Sequence, residues 1–125
     1  MELFVRSFEH PRYLVSTEGR VYSEVRRRFL TPIVAKRGFL QVSMDGRNVS
    51  LHKEVAESFQ RSKVVRVWFK DKDKHNCRLS NLEYARYDVK PGIIEMPPLY
   101  KYEDGKFVPL AMEECEKIWT SVWQS

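Results

Sequence analysis

The sequence predicts an α+β fold. A small N-terminal β-rich module comes first, then a ββα core, then a C-terminal hairpin plus an amphipathic helix. Three observations predict it. Through residue 50, short β-prone apolar stretches are separated by turn residues, which reads as strands. The period then changes, and Leu51, Val55, Ala56 and Phe59 fall on a single helical stripe. Near the end, Asp104-Gly105 separates two apolar runs, and Ala111, Cys115, Ile118, Trp119 and Val122 recur at helical spacing.

In chain order, the module spans residues 1–50, the core 51–90, a linker 91–98 and the hairpin-helix tail 99–125. In the module, Tyr13-Leu14-Val15 is a strand, Thr17-Glu18-Gly19 a turn, and Arg20 to Ser23 the returning strand. Phe39 to Met44 is a second strand. Asp45-Gly46 is a strong hairpin signal, with Asn48 to Leu51 pairing back. The helix that follows takes Ser50 as N-cap and leaves Lys53 and Glu54 exposed. Val64 to Phe69 is a strand, Asp71 to Ser80 a polar loop, and Leu82 to Ala85 either a short strand or the start of a helix. Pro91-Gly92 and Pro97-Pro98 bracket the linker. Leu99 to Tyr102 and Lys106 to Val108 flank the second hairpin turn, and a helix runs from Pro109 to Trp123.

Length and composition narrow the function. The 125 residues, 42% hydrophobic and 13% aromatic, suffice for a folded chain with one modest core. No apolar run approaches membrane-spanning length, and the N-terminus does not read as a signal peptide, so neither a membrane nor secretion is expected. Cys77 and Cys115 match no zinc or redox spacing, which implies a reducing, cytoplasmic setting and no structural metal. The net charge is +5, unevenly spread: residues 1–70 carry 14 basic and 7 acidic side chains, and residues 93–125 carry 3 and 6. A basic body with an acidic tail suits a polyanionic partner, although a merely solvated basic surface fits the charge as well.

The motifs point further. Tyr13-Leu-Val-Ser-Thr-Glu-Gly-Arg-Val-Tyr-Ser23 is similar to Y-x-V-S-N-x-G-R-V-x-S, with Thr17 in place of Asn. Gly38-Phe39, Asp45-Gly46 and Leu51-His52-Lys-Glu-Val-Ala-Glu-Ser-Phe59 are similar to the G-Y, D-G and V-H-R-L-V-A-x-x-F elements that follow it. Asp71, Asn76, Arg78, Leu79, Asn81, Leu82 and Tyr84 match D-G-x-x-x-N-N-R-L-x-N-L-x-W. In this order and spacing, residues 4–86 resemble the phage-type HNH homing endonucleases that carry an N-terminal NUMOD-type module. The resemblance implies double-stranded DNA as partner. In an active member it also implies a histidine base and a divalent metal ion, Mg2+ or Mn2+, acting on a phosphodiester.

The departures fall on the chemistry. The base histidine of V-x-H-x-D-G falls at Phe69, and the residue before it at Trp68. The loop glycine is Lys72 and the second loop asparagine Cys77. The segment expected to bring the last ligand is Arg86-Tyr87-Asp88-Val89-Lys90, which Pro91-Gly92 cuts short. This pattern reads as a dismantled catalytic site on a retained fold. His52 and His75 are the possible substitutes for the base, each with a bland alternative as a structural and a solvated loop histidine.

Asp71, Asn76 and Asn81 read as fasteners of the loop. Arg20, Arg26, Arg27, Arg28, Lys36, Arg37, Arg47 and Lys53 are the candidate DNA contacts, with the Arg26–Arg28 run set to neutralise adjacent phosphates. Trp68, Phe69, Trp119 and Trp123 read either as core or as a surface for a host or phage protein. Three functions follow: a DNA-binding protein without nuclease activity and without a cofactor; an interaction protein that modulates a host or phage enzyme; and a nuclease with a substitute base, the only one that calls for Mg2+ or Mn2+. A phage gene expressed in the bacterial cytoplasm fits all three.

Overall fold

The structure, a computed structural model, describes residues 1–86 and 96–124, and the side chains of residues 1–85 and 96–121. Eleven strands and two helices follow one another in these residues. They are β1 (Phe4–Arg6), β2 (Tyr13–Ser16), β3 (Val21–Ser23), β4 (Arg28–Phe29), β5 (Ile33–Val34), β6 (Leu40–Met44) and β7 (Arg47–Ser50). Then come α1 (Leu51–Gln60), β8 (Val64–Phe69), β9 (Leu82–Arg86), β10 (Leu99–Glu103), β11 (Lys106–Pro109) and α2 (Met112–Gln124). Among the described residues no helix is long and apolar enough to cross a membrane.

The largest sheet has six antiparallel strands in the order β11-β10-β1-β2-β3-β4. Strand alternation gives it two apolar faces. Val5, Val15, Val21 and Leu99 share one face and enter the main core. Phe4, Leu14 and Tyr22 lie on the other. There Phe4, Tyr22, Phe29, Tyr102 and Phe107 make a chain of tilted and edge-on ring contacts with centroids 4.8–6.4 Å apart. Phe29 on β4 is 5.2 Å from Tyr102 on β10, although three strands separate these two in the sheet. The sheet therefore curls upon itself, and the aromatic rings fill the hollow.

The second sheet is β5-β6-β7 and the third is the β8-β9 ribbon. The β6–β7 turn is Asp45-Gly46, with both φ values positive at 52° and 77°, as a twisted two-residue hairpin requires. Asp104-Gly105 repeats that geometry between β10 and β11.

Helix α1 stands at the centre of the main core. Its Leu51, Val55, Ala56 and Phe59 are buried against Val42, Met44, Val64, Leu82, Leu99 and Trp119. Ser50 holds the N-cap position with extended backbone but makes no side-chain cap bond. Arg61 ends the helix in the left-handed region, its N–H bonded to Glu57 O at 2.8 Å.

Three expectations are corrected. Glu54 is buried rather than exposed, because Ser7 Oγ–H and Ser58 Oγ–H both reach its carboxylate. Trp119 is core and not a partner surface: it is 0% exposed, 6.1 Å from Phe59 in ring centroids, and its Nε1–H donates to Pro97 O at 2.9 Å. Ala111 is exposed and precedes α2 instead of lying on its buried stripe. The side chain of Trp123 lies outside the described residues. So does the segment 87–95, where the helix closing a ββα unit was expected; in the described residues it is α1, from before the ribbon, that packs on β8 and β9.

The hairpin-helix tail packs into the body. β10 pairs with β1 through Phe4–Tyr100 and Val5–Leu99, and Cys115 and Trp119 close the core over Phe59. Trp119→Ala should therefore lower the unfolding free energy of the whole chain by about 3–5 kcal/mol. Urea unfolding should show one transition moved as a unit; loss of a separate minor transition would mean that the tail folds by itself.

Candidate functional site

The strand-loop-strand β8–β9 is where the sequence motif concentrates. Its loop is fastened by the Asp71 carboxylate, which accepts from Asn76 Nδ2 at 2.8 Å, Asn81 Nδ2 at 3.0 Å and the backbone N–H of Asp73 at 2.8 Å. Asn81 Oδ1 in turn accepts from the Asp71 N–H at 3.2 Å, and Asn81 Nδ2 also donates to Asn76 O at 2.8 Å. The Asn76 bond, followed by the others, holds the Asp71 carboxyl below its ordinary range. Lys72, at the position where the motif has glycine, sits in the left-handed region at φ 63°. The turn geometry is retained there without the residue that adopts it most readily.

The first module supports this loop from behind. Leu79 N–H donates to Thr17 O at 2.8 Å, and Arg78 pairs with Glu18 at 3.0 Å. Gly19 has φ 82°, and a Cβ there would lie 3.0 Å from Cys77 O. The G of the Thr17-Glu18-Gly19 turn is thus needed for close approach as well as for its backbone angle. Cys77 is buried in this contact, and desolvation, followed by the nearby Asp73, pushes its thiol up to about 11, so it is no thiolate nucleophile at neutral pH.

At the end of β8 the structure separates Trp68 from Phe69. Phe69 pairs with Leu82 and turns inward against the core; Trp68 pairs with Glu83 and is 43% exposed. The expected joint patch is therefore not formed, because consecutive strand residues face opposite sides. The Phe69 ring lies 5.0 Å from His52 and 6.1 Å from Phe39, and Phe39 stacks on His52 at 5.1 Å. Lys74 Nζ sits 4.8 Å over Phe39 and donates to Arg37 O at 2.7 Å. Within this aromatic enclosure His52 Nδ1 is buried and has no hydrogen-bond partner. Burial above all, and then Lys53, lowers the His52 pKa from 6.5. His75 is exposed in the loop, where its backbone N–H donates to Asp73 Oδ1 at 2.9 Å. Among the described residues no group of three His, Cys, Asp or Glu side chains is placed to hold a metal ion.

The basic candidates divide by what already engages them. Arg20 is occupied: Nε and Nη2 donate to the two Glu2 oxygens at 2.8 and 2.6 Å, and its guanidinium lies 4.1 Å over Phe29, closing one end of the aromatic hollow. This pairing holds the Glu2 carboxyl below its ordinary range. Arg26, Arg27 and Arg28 are exposed where β3 turns into β4, with Arg27 left-handed at φ 54°. Lys36 and Arg37 are exposed on a short 3-10 turn, Arg47 on β7 and Lys53 on α1. Two participants were not read from the sequence. Phe39 was read as a strand residue and as part of the G-Y element but given no role at the site, and Arg66, which lies 5.4 Å from the Trp68 ring centroid, was not singled out. The Arg-Val-Trp alternation was the available signal for Arg66, and the Gly38-Phe39 match to the G-Y element was the signal for Phe39.

No family model matches the chain. It is 32% identical over 92 residues to an uncharacterized HNH endonuclease of Acanthamoeba polyphaga mimivirus, a match that takes in 68% of this chain and 23% of the mimiviral protein. Its fold is similar to that of the HNH homing endonuclease I-HmuI, solved in a study of DNA binding and cleavage. The TM-score is 0.56 at 26% identity, over 69% of this chain and 53% of that one. The chain thus spans about a quarter of the curated relative and about half of the solved one. In sequence and in fold it is HNH-endonuclease-like.

The buried Nδ1 sets a pH dependence. With the folded pKa of His52 below its unfolded value near 6.5, the neutral ring favours folding above that pH. This stability is lost as pH falls through the folded pKa. Nuclear magnetic resonance titration should give His52 a midpoint below 6.5. His52→Phe should flatten the stability profile between about pH 7 and 5; an unchanged profile would contradict the assignment.

Proposed function

We propose that this chain binds double-stranded DNA and does not cut it, on an HNH-type framework whose base has been replaced. The observation that carries the reading is Phe69. It occupies the strand-end position of the motif with a ring packed against both His52 and Phe39. Hydrolysis of a phosphodiester on this framework needs a group that takes a proton from water and atoms that hold a metal ion. A phenyl ring does neither, and Trp68 beside it has no lone pair to give and faces the other way. The strand-end pair therefore does not fit a metal ion. What remains is a scaffold with a fastened loop and exposed cations at Arg26, Arg27, Arg28, Lys36, Arg37, Arg47 and Lys53. Cations of this kind bind DNA through its phosphates. The β-rich N-terminal part is, on this reading, a NUMOD-type module that has become one folded body with the ribbon.

A second reading has an observation of its own. The His52 ring is 5.0 Å from Phe69, so an imidazole does lie beside the lost base. In that case the chain is a nuclease with a displaced base. Against it stands the burial of Nδ1 among aromatic rings, which withholds that nitrogen from water.

Duplex DNA should bind with steep salt dependence, each phosphate contact contributing about 0.9 to the slope of log K against log salt. Replacing Arg26, Arg27 and Arg28 together by Ala should lower that slope and weaken binding about equally on unrelated sequences. A loss confined to one sequence would make the cluster a base reader, and no binding at low salt would end the DNA reading.

Plasmid DNA should stay intact with Mg2+ or Mn2+. Phe69→His places an imidazole on the inward face beside His52, and weak metal-dependent nicking in this variant would show that the base is the one part of the site that was lost. Nicking by the natural sequence that His52→Ala abolishes, with the fold intact by circular dichroism, would establish the second reading instead.

A further inference from the structure

The β8–β9 ribbon has an outer face that the reading above does not use. Val67 and Phe69 lean on the core, while Arg66 and Trp68 stand opposite, with Ala85 and Glu83 as their cross-strand neighbours. Trp68 is 43% exposed, and Val65, at the register shift of the ribbon, is 53% exposed. The Arg66 guanidinium lies 5.4 Å from the centroid of the Trp68 ring, within reach of a cation–π contact. Lys70 and Lys72 follow at the end of the strand, both exposed, and Glu83 is the acidic side chain opposite Trp68.

Two properties define what this face can hold. The indole of Trp68, 43% exposed, and the Arg66 guanidinium over its ring present an aromatic surface and a planar cation side by side. The cations around it, Arg66, Lys70 and Lys72, favour a polyanion over an apolar protein surface, which would have to desolvate them. A nucleobase turned out of its stack meets both conditions. It brings a π face, for which aromatic rings and guanidinium planes are the usual platforms, and a phosphate on either side. A fully stacked duplex buries its base faces and has only its edges and backbone to present. We propose that the outer face of the ribbon binds an unpaired base of DNA, with Trp68 stacked on the base and Arg66 holding the flanking phosphate. The proposal rests on the DNA-binding reading and specifies the form of DNA that the chain prefers.

The test uses the full chain, a labelled duplex and the same duplex carrying one unpaired base, with affinity read by anisotropy and contact read by tryptophan emission. The natural sequence should bind the interrupted duplex about tenfold more tightly, the size of one base–aromatic stack, and its emission should be quenched. Trp68→Ala should lose the preference and the quenching while keeping its affinity for the paired duplex. Trp68→Phe should keep part of the preference, and Arg66→Ala should reduce it without touching the core. Equal affinity of the natural sequence for both duplexes, or a preference that survives Trp68→Ala, would overturn the proposal and leave DNA binding standing. Absence of binding to either duplex would overturn both.

Discussion

Burial of α1 is the constraint on which the rest of the molecule depends. The helix is ten residues long, too short to be stable by itself in water, so its stability comes from what surrounds it. Leu51, Val55, Ala56 and Phe59 meet side chains from all three sheets and from α2. Burying rings and branched chains of this size contributes about 1.5–3 kcal/mol each. The polar flank is buried too, and each of its acids is given partners. Glu54 accepts from Ser7 and Ser58, and Glu57 accepts from Val64 N–H at 3.1 Å. Burial nevertheless raises the Glu57 pKa, as its largest influence. The neutral form is therefore favoured in the folded chain, and that contribution fades as pH rises through the folded value.

A helix so enclosed explains why the chain is one body despite its modular sequence. The six-stranded sheet lends one face to α1 and curls the other around an aromatic filling, so β10 serves both cores, through Leu99 and Tyr102. Arg20 closes the aromatic hollow by lying over Phe29 while Glu2 neutralises it. In the motif this arginine reads as a DNA contact, but a guanidinium held by both carboxylate oxygens and a ring has little left for a phosphate. The same integration ties the Thr17-Glu18-Gly19 turn to the β8–β9 loop through Gly19 and Cys77.

On the proposed reading, a phenylalanine at the strand end changes chemistry far more than structure. Phe69 extends the core edge by one ring among Phe39, His52 and Leu82, where a histidine would have required a polar partner. The loop beside it keeps its fastening by Asp71, Asn76 and Asn81, and Lys72 keeps the left-handed turn. The proposed loss of reactivity leaves the fold standing because the fold rests on α1 and the loop bonds.

Much of this was legible in the sequence because it is local. Asp-Gly turns demand positive φ, alternation marks strands, and the Leu51–Phe59 stripe marks a helix, so β2, β3, β6 to β8, β10, β11 and α1 follow from neighbouring residues, while β9 was left open between strand and helix. That a phenyl ring such as Phe69 neither takes a proton nor binds a metal ion is likewise a property of the residue itself. What only the tertiary structure decided depends on residues far apart in the chain. β1, β4 and β5 are two or three residues long and carry no pattern of their own; they exist because longer strands offer them partners. Glu54 looks solvated until Ser7 arrives from another strand end, and Trp119 reads equally as core or as surface until Phe59 and Pro97 enclose it. Trp68 and Phe69 are neighbours in sequence and sit on opposite faces of a strand, and only the position of the core says which of the two faces solvent.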